Sequence, residues 1–397
     1  MPFALPDITD REIEAVVEVM RSRWLTTGAR AREFEQRFAS QVGAPHAVAL
    51  NSCTAGLHLA LEALGVGSRD LVYVPTYTFA ASAEVVRYMG ATPVLVDIDP
   101  ATLNIDLEEL RELIRSDLDG HRGLPKVILP VHFAGVSCDM APIWDLARQH
   151  GLAVVEDAAH AFPASRDGHV TGSMPEDVRG AVCFSFYATK TITTGEGGMV
   201  TTPSAELAER MRTMSLHGLS RQAWNRYAEG GTWRYDIVAP GYKYNLTDMA
   251  AAMGLVQLER ATQMRDRRAE IAASYDAAFA ALPVERPFVP DGAKSAWHLY
   301  VLRVDSVTPG DRDQVIGALN ALGIGTSVHF IPLHLHTYYR DTYGYTSGNF
   351  PVATAQFDRA FSLPIYSSMS DADVDRVIDG VKLALKTTRR PDHKAAR

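Results

Sequence analysis

The chain has 397 residues, more than one ordinary hydrophobic core accommodates, so a large domain and a smaller one are expected. Hydrophobic residues make up 47% and charged residues 22%, a composition typical of soluble globular proteins, and the formal net charge of −8 argues against a nucleic-acid partner. No apolar run approaches the roughly 18 residues of a membrane span, and residues 1–25 lack the pattern of a secretory signal.

The cysteines are few and scattered. Cys53, Cys138 and Cys183 form no CxxC pair and no closely spaced even set, so the sequence predicts neither a metal site nor a disulfide framework. Unpaired thiols are typical of a reducing compartment, and we expect a cytoplasmic protein.

Two helices come first, and from residue 47 onward short apolar runs alternate with helical stretches. Continuous Val/Ile/Leu runs separated by helices indicate a sheet buried on both faces and mostly parallel. The pattern predicts an α/β doubly wound domain with about seven strands. Helices are predicted over residues 8–23, up to 38, 54–64, 79–89, 106–110 and 140–150, and strands over 48–50, 71–74, 93–96, 127–131, 153–156, 181–184 and 198–201.

Residues 203–240 interrupt this alternation. They are rich in Arg, Trp, Tyr and Gly and are interpreted as a long ordered excursion, which in a compact domain is usually functional. A long helix over 247–279 then leads into a second domain with strands at 297–304 and 325–330 and helices at 312–322 and 371–385. The basic end, 386–397, is expected to be a solvated tail. We therefore predict a large catalytic domain over 1–265 and a smaller C-terminal α+β domain over 266–397.

Lys190 is the most informative residue. It is set between two apolar runs and a Thr/Gly-rich turn, and Asp157 ends a predicted strand 33 residues earlier. A lysine that forms a Schiff base and a carboxylate that pairs with a pyridinium nitrogen are the minimum equipment for pyridoxal phosphate (PLP) chemistry. Each residue has an ordinary alternative, since a lone lysine is usually a surface residue and a strand-end Asp often caps a helix.

Small and hydroxyl-bearing residues at other strand ends fit a phosphate group. The segment 51–56 follows the first strand and opens a helix, where backbone N–H groups and the hydroxyls of Ser52 and Thr54 are placed to hold a phosphate. A simple helix N-cap explains the same residues. Ser185 adds a further hydroxyl, although a lone buried serine is equally ordinary.

Two more residues are candidates for contact with an aromatic cofactor ring. Phe79 is placed to stack on such a ring, although Phe in this setting is more often a core residue. His160 is placed to hydrogen-bond the phenolic oxygen of the ring, and a purely structural histidine is the alternative.

Several ordered motifs together resemble the sugar-nucleotide aminotransferases of the DegT/DnrJ/EryC1/StrS family, which are PLP-dependent enzymes of transferase fold type I. The resemblance covers nearly the whole chain. The motifs are WLTTG at 24–28, NSCTAG at 51–56, EDAAHA at 156–161, SFYATK at 185–190, GEGG at 195–198 and GYKYNLTD at 241–248.

The resemblance implies a role for each candidate residue. Lys190 is implied to attach the cofactor, Asp157 to pair with its pyridine nitrogen, and Phe79 and His160 to contact its ring. Asn245 is implied to reach the phosphate from a neighbouring subunit, so a homodimer with shared active sites is expected. The residues implied to hold the phosphate within the chain are Cys53, Thr54 and Ser185.

The sequence predicts the substrates less precisely than it predicts the cofactor. Retention of Lys190, where deoxygenating relatives carry histidine, favours transamination, and the resemblance implies L-glutamate as donor and a nucleotide-linked 4-keto-6-deoxyhexose as acceptor. A 3-keto sugar, a keto-inositol, a dehydratase outcome or a non-catalytic PLP-binding regulator remain alternatives. The expected substrate contacts are Thr27, Gly28, His329 and His334.

Overall fold

A computed structural model describes residues 1–120, 122–219, 235–305 and 311–388. Its strands are β1 (His46–Leu50), β2 (Asp70–Pro75), β3 (Thr92–Val96), β4 (Leu124–Ile128), β5 (Ala153–Asp157), β6 (Ser165–Arg166), β7 (His169–Val170), β8 (Gly180–Ser185), β9 (Gly198–Thr202), β10 (Val284–Glu285), β11 (Ala293–Lys294), β12 (Tyr300–Val304) and β13 (Ala360–Leu363).

The α-helices are α1 (Asp10–Ser22), α2 (Ala29–Val42), α3 (Cys53–Ala63), α4 (Ala81–Tyr88), α5 (Leu107–Leu118), α6 (Met140–His150), α7 (Ala205–Met214), α8 (Asp248–Phe279), α9 (Arg312–Ala321), α10 (Thr337–Tyr343), α11 (Pro351–Arg359) and α12 (Asp371–Thr387).

The large sheet has seven strands in the order β1-β9-β8-β5-β4-β2-β3. β9 runs antiparallel to both of its neighbours, and the other six strands share one direction. Its strands are buried along most of their length because helices cover both faces, which is why they appear in the sequence as nearly continuous apolar runs. The predicted mostly parallel seven-stranded sheet is confirmed.

A smaller antiparallel sheet, β10-β12-β13, forms the C-terminal layer. Its core joins residues of α8, β12 and α12, among them Tyr275, Leu302 and Val377. The predicted boundary between residues 265 and 266 falls inside α8, whose first half packs in the core of the large sheet through Leu258 and Met264. α8 therefore belongs to both layers.

Two local predictions differ from the structure. Residues 325–330 form no strand; only Ser327 makes a single bridge, to Ser362 in β13. The segment 203–240 begins with the regular helix α7, and its residues 220–234, with Trp224, Tyr227 and Trp233, lie outside the described residues, as does the end of the tail at 389–397. Within the described ranges, no helix is both long enough and apolar enough to cross a membrane.

Candidate active site

The carboxyl ends of β1, β2, β5 and β8 lie at one edge of the large sheet because these strands run in the same direction. Open α/β sheets bind their ligands at this edge. The segments that leave the four strand ends carry Cys53, Phe79, Asp157 and Lys190, and a small cavity beside them is lined by Lys190 and Ser185.

Asp157 is the last residue of β5 and is buried. Its Oδ2 accepts a hydrogen bond from the hydroxyl of Ser82 at 2.8 Å, and its Oδ1 accepts one from the backbone N–H of Ala159 at 3.1 Å. The Cys53 thiol lies 3.9 Å from the same Oδ1. Because burial and the adjacent Asp157 charge raise the pKa of Cys53, its thiol stays protonated and faces the carboxylate as a neutral group.

Lys190 lies in the turn after β8, where its N–H bonds the carbonyl of Tyr187 at 2.9 Å. Its Nζ is 3.4 Å from Nε2 of His298. Burial of the amine lowers the pKa of Lys190 to about 8, against the opposing effects of Cys53 and Asp157, which raise it. The neutral amine, the form that acts as a nucleophile and proton acceptor, is therefore far more abundant near neutral pH than in an ordinary lysine.

His160 lies above the end of β5 and is buried. Its Nδ1 accepts a hydrogen bond from the N–H of Ala134 at 3.3 Å. Burial and the nearby Lys190 charge hold the pKa of His160 well below its usual range, so the ring is neutral and its proton is on Nε2. His160 therefore has one N–H, on Nε2, available as a hydrogen-bond donor.

The first turn of α3 lies where the sequence predicts a phosphate-binding segment. Ser52 caps the helix, since its Oγ accepts from the N–H of Ala55 at 3.1 Å, so the alternative N-cap interpretation applies to Ser52 itself. The N–H groups of Cys53 and Thr54 precede the first intrahelical bond and point out of the helix end. Gly198 makes room for this turn, because a Cβ there would lie 2.4 Å from the carbonyl carbon of Ser52.

Two further candidates, Ser185 for the phosphate and Phe79 for the cofactor ring, are placed as follows. Ser185 is half-buried at the end of β8, and its Oγ accepts a hydrogen bond from the N–H of Tyr187 at 3.3 Å. Phe79 is 62% exposed, so the alternative that it is a core residue does not hold, and its ring centre lies 5.9 Å from that of Phe330.

Asn245, Thr27 and Gly28 form a separate group at the outer edge of β1. The Asn245 amide donates to the Thr27 hydroxyl at 2.7 Å, and its Oδ1 accepts from Lys243 at 2.5 Å. The N–H of Gly28 donates to Asp248 at 2.7 Å, at the start of α2. Within the described part of the chain, none of these three residues makes a hydrogen bond to Lys190.

The two histidines predicted to face the substrate differ in environment. His329 bonds Ser362 through Nδ1 at 2.9 Å, and burial together with the Lys190 charge lowers the pKa of His329 to about 4, so it belongs to the Lys190 group. His334 is fully buried, with Thr76 at 2.8 Å from Nδ1 and Thr354 at 3.0 Å from Nε2. This placement favours a structural role for His334.

Sequence reasoning missed Ser82, Thr78 and His298. Ser82 and Thr78 are separated by one turn of chain, with 2.8 Å between their hydroxyls. His298 was included in a predicted strand, whereas β12 begins only at Tyr300. No pattern in the sequence distinguishes these residues from ordinary core residues.

The model of the DegT/DnrJ/EryC1/StrS aminotransferase family matches residues 6–382 of the chain. The protein belongs to this family.

Individual relatives agree with this assignment. The spore coat polysaccharide biosynthesis protein SpsC of Bacillus subtilis is 48% identical over 389 residues, 97% of each chain. The Spr1654 protein of Streptococcus pneumoniae, solved in PMP and PLP forms, is similar in structure with a TM-score of 0.89 for the PMP form, at 35% identity over 98% of this chain and 100% of its own. Helicobacter pylori PseC, an aminotransferase involved in the biosynthesis of pseudoaminic acid, has a TM-score of 0.87 at 26% identity over 97% of this chain and 98% of its own.

As a member of the DegT/DnrJ/EryC1/StrS family, the protein is a PLP-dependent sugar aminotransferase of fold type I. The residues at the strand edge fit this cofactor. Lys190 presents an amine, Asp157 a carboxylate already held by two donors, and α3 two outward N–H groups. The exposed ring of Phe79 completes a site suited to a flat, anionic, nitrogen-containing ring.

Proposed function

We propose that the enzyme transfers an amino group from L-glutamate to the keto carbon of a nucleotide-linked 4-keto-6-deoxyhexose. The observation that carries the proposal is the amine of Lys190, held 3.4 Å from His298 with a pKa of about 8 in a group that also contains Asp157. The sugar class is supported by relatives whose names refer to spore coat polysaccharide and pseudoaminic acid biosynthesis. The glutamate donor and the 4-keto position rest on the sequence motifs.

We propose a separate role in the reaction for each residue of the site. PLP, when bound, supplies a carbonyl carbon that accepts the amino group and a ring that withdraws electrons. Asp157 would hold a proton on the ring nitrogen of PLP, and His160 would donate from Nε2 to the ring oxygen. The neutral amine of Lys190 would take the proton from the α-carbon of the donor and return it to the carbon that receives the proton in transamination. Cys53, Thr54 and Ser185 would hold the phosphate.

Substrate contacts are proposed on the side of the C-terminal layer. His329 is our principal candidate because it lies beside Lys190, is neutral, and has one ring nitrogen fixed by Ser362. Thr27 and Gly28 are proposed to serve the site of a second subunit together with Asn245. We also propose a cytoplasmic location, in keeping with the three unpaired cysteines.

The test of cofactor attachment is replacement of Lys190. The wild-type protein, reduced with borohydride in the presence of PLP, is expected to gain one covalent cofactor per chain by mass spectrometry. Lys190→Ala should show no adduct and no turnover, and Lys294→Ala, which removes an exposed lysine, should behave as wild type. An adduct that persists in Lys190→Ala would refute the assignment.

The acceptor is tested with ¹⁵N-labelled glutamate and a panel of nucleotide-linked 4-keto hexoses, nucleotide-linked 3-keto hexoses and keto-inositol. Label in the C4 amino group of the product is the expected result. Label at C3 or in an amino-inositol would correct the substrate, loss of hydroxyl without label would indicate a dehydratase, and cofactor binding without any turnover would favour a regulator.

A further inference from the structure

His298 is a buried histidine next to the reactive lysine, and nothing in the sequence marks it. Its Nε2 is 3.4 Å from Nζ of Lys190, and its ring centre is 4.3 Å from that of His160. The other nitrogen, Nδ1, is buried and has no hydrogen-bond partner among the described residues. A buried imidazole with one free nitrogen requires an explanation, because buried polar atoms are nearly always bonded.

The backbone that carries His298 is held from several sides. Ala296 donates its N–H to the carbonyl of Gly135 at 2.9 Å, and Leu299 donates to that of Ala134 at 3.2 Å. Gly135, with a φ of 102°, is required here because a Cβ would lie 2.9 Å from the backbone nitrogen of Trp297. The imidazole is therefore presented to Lys190 from a rigid support.

The same segment contains local strain. Trp297 adopts a φ of 49°, an unfavourable conformation for a bulky residue, and buried Arg268 donates to the Trp297 carbonyl at 3.2 Å and to that of Ile365 at 2.7 Å. Strain of this kind persists only where neighbouring contacts enforce it, and it is commonest at functional sites. The strained residue here directly precedes the histidine that meets Lys190.

The hydrogen-bond partners decide which nitrogen of His298 carries the proton. Burial and the adjacent Lys190 charge hold the pKa of His298 well below its usual range, so the ring has a single proton. A proton on Nδ1 would be a buried N–H without an acceptor, which is the rarer and more costly defect. The proton therefore belongs on Nε2, directed at Lys190. An ammonium group has no lone pair to accept it, whereas a neutral amine has one.

The other groups that face Lys190 do not supply this contact. Cys53 from α3 is a protonated thiol and Asp157 from β5 is an acceptor, and both favour the charged lysine. His160 and His329 are neutral rings, and among the described residues the side chain within hydrogen-bond distance of Lys190 Nζ is that of His298.

We propose that His298 is a positioning residue that donates its Nε2–H to the neutral amine of Lys190 and keeps that amine in its reactive form. The proposal rests on the role of Lys190 proposed above. Whenever Lys190 is not bonded to the cofactor, His298 holds the lone pair of Nζ in place and disfavours protonation of that amine.

The test follows cofactor attachment to the full-length apoenzyme across pH 6 to 10, by absorbance after mixing with PLP. Attachment requires the neutral amine, which adds to the aldehyde carbon while a water molecule leaves. The wild-type rate is expected to rise with a midpoint near the Lys190 pKa of about 8. His298→Phe fills the same space and excludes water but has no N–H, so its midpoint should move up by roughly 0.4–1 pH unit, the equivalent of one hydrogen bond.

Two further variants separate the hydrogen bond from packing. His298→Gln places an amide N–H near the position of Nε2 and should return the midpoint toward that of wild type. His298→Asn is too short to reach Lys190 and should behave as Phe does, and it carries the test if the Phe variant does not fold by circular dichroism.

The outcomes are distinct. An unchanged midpoint in the folded Phe or Asn variant would overturn the proposal. A midpoint shifted to lower pH would overturn it too, because it would mean that the imidazole accepts a hydrogen bond from the ammonium form of Lys190. Attachment of PLP in Lys190→Ala would instead refute the proposed role of the lysine. A Gln midpoint as high as that of Phe would also contradict a donated hydrogen bond.

Discussion

Asp157 is supported by a short chain of hydroxyl groups. Ser82 donates its proton to the carboxylate at 2.8 Å, so its oxygen must accept the one from Thr78, also at 2.8 Å. Both hydroxyls are buried. The Asp157 carboxylate, which we propose pairs with the ring nitrogen of the cofactor, is thus oriented by α4 and the turn before it, as well as by its own strand.

Loss of the Ser82 hydroxyl should weaken cofactor binding. Ser82→Ala leaves a buried carboxylate oxygen without its donor, which costs about 1.5–3 kcal/mol and corresponds to a roughly 10–100-fold rise in the Kd for PLP. The Kd is measured by fluorescence titration of the apoenzyme. Thr78→Val is the matched control, because it removes a buried hydroxyl but leaves Asp157 its donor, and an equal loss in both variants would mean a packing effect only.

Glu12 joins two elements that lie far apart in the sequence. It is on α1, is fully buried, and accepts hydrogen bonds from Gln257 at 2.9 Å and from Arg260 at 2.7 Å, both on α8. Burial by itself would raise the pKa of Glu12, but the bonds from Thr9, Arg260 and Gln257 outweigh it and lower the pKa to about 2.

The buried carboxylate of Glu12 should make the free energy of unfolding depend on pH in the acid range. Because the folded pKa of about 2 is below the ordinary 4.5, Glu12 stabilises the fold above pH 4.5 and loses that effect as the pH falls toward 2. The shift corresponds to about 3 kcal/mol. Glu12→Gln should lower the free energy of unfolding by about that amount at pH 7 and flatten its dependence between pH 5 and 2.

The measurement is urea unfolding over a pH series. Glu259→Gln is the control, since Glu259 also joins α8 to α1 but does so through Arg11 at the surface, where it pairs with Arg37 as well. Such exposed pairs contribute less than about 1 kcal/mol. Equal losses in the two variants would show that burial of Glu12 has no special effect.

We propose that the protein acts as a dimer, because the family motifs imply that Asn245 contacts the phosphate in the site of a neighbouring subunit. Asn245, implied by the motifs to contact the phosphate, bonds to Thr27 and Lys243 at the outer edge of β1. Asn245 makes no hydrogen bond to Lys190 of its own chain among the described residues, and we propose that it serves a neighbouring molecule's site. A pair related by twofold symmetry completes both sites with the same contacts.

Mixing two variants that are defective at different residues tests this arrangement. Asn245→Ala should bind PLP loosely and Lys190→Ala should be inactive, but a mixed dimer has one site with both residues intact. Random exchange gives mixed dimers in half of the population, so activity should recover to about a quarter of wild type. Exchange is verified with differently tagged subunits. A monomer by sedimentation that remains active, or no recovery after verified exchange, would exclude shared sites.

The sequence by itself determined the α/β class, the seven-stranded sheet and the family. Buried parallel strands must be apolar throughout, and residues such as Lys190 and Asp157 follow strand ends in motifs of fixed spacing, so both are visible in a linear pattern. The prediction of a strand at 325–330 was wrong because a strand needs a continuous hydrogen-bonded partner. This segment makes a single bridge to β13.

Only the tertiary structure decided which side chains meet. Lys190 and His298 are 108 residues apart, Ser82 and Asp157 are 75 apart, and Gly28 and Asp248 are 220 apart. Each of these contacts depends on the strand order of the sheet and on how α4 and α8 pack against it. Helix and strand periodicity reports which face of an element is apolar, whereas the partner across that face is fixed by packing of the whole chain.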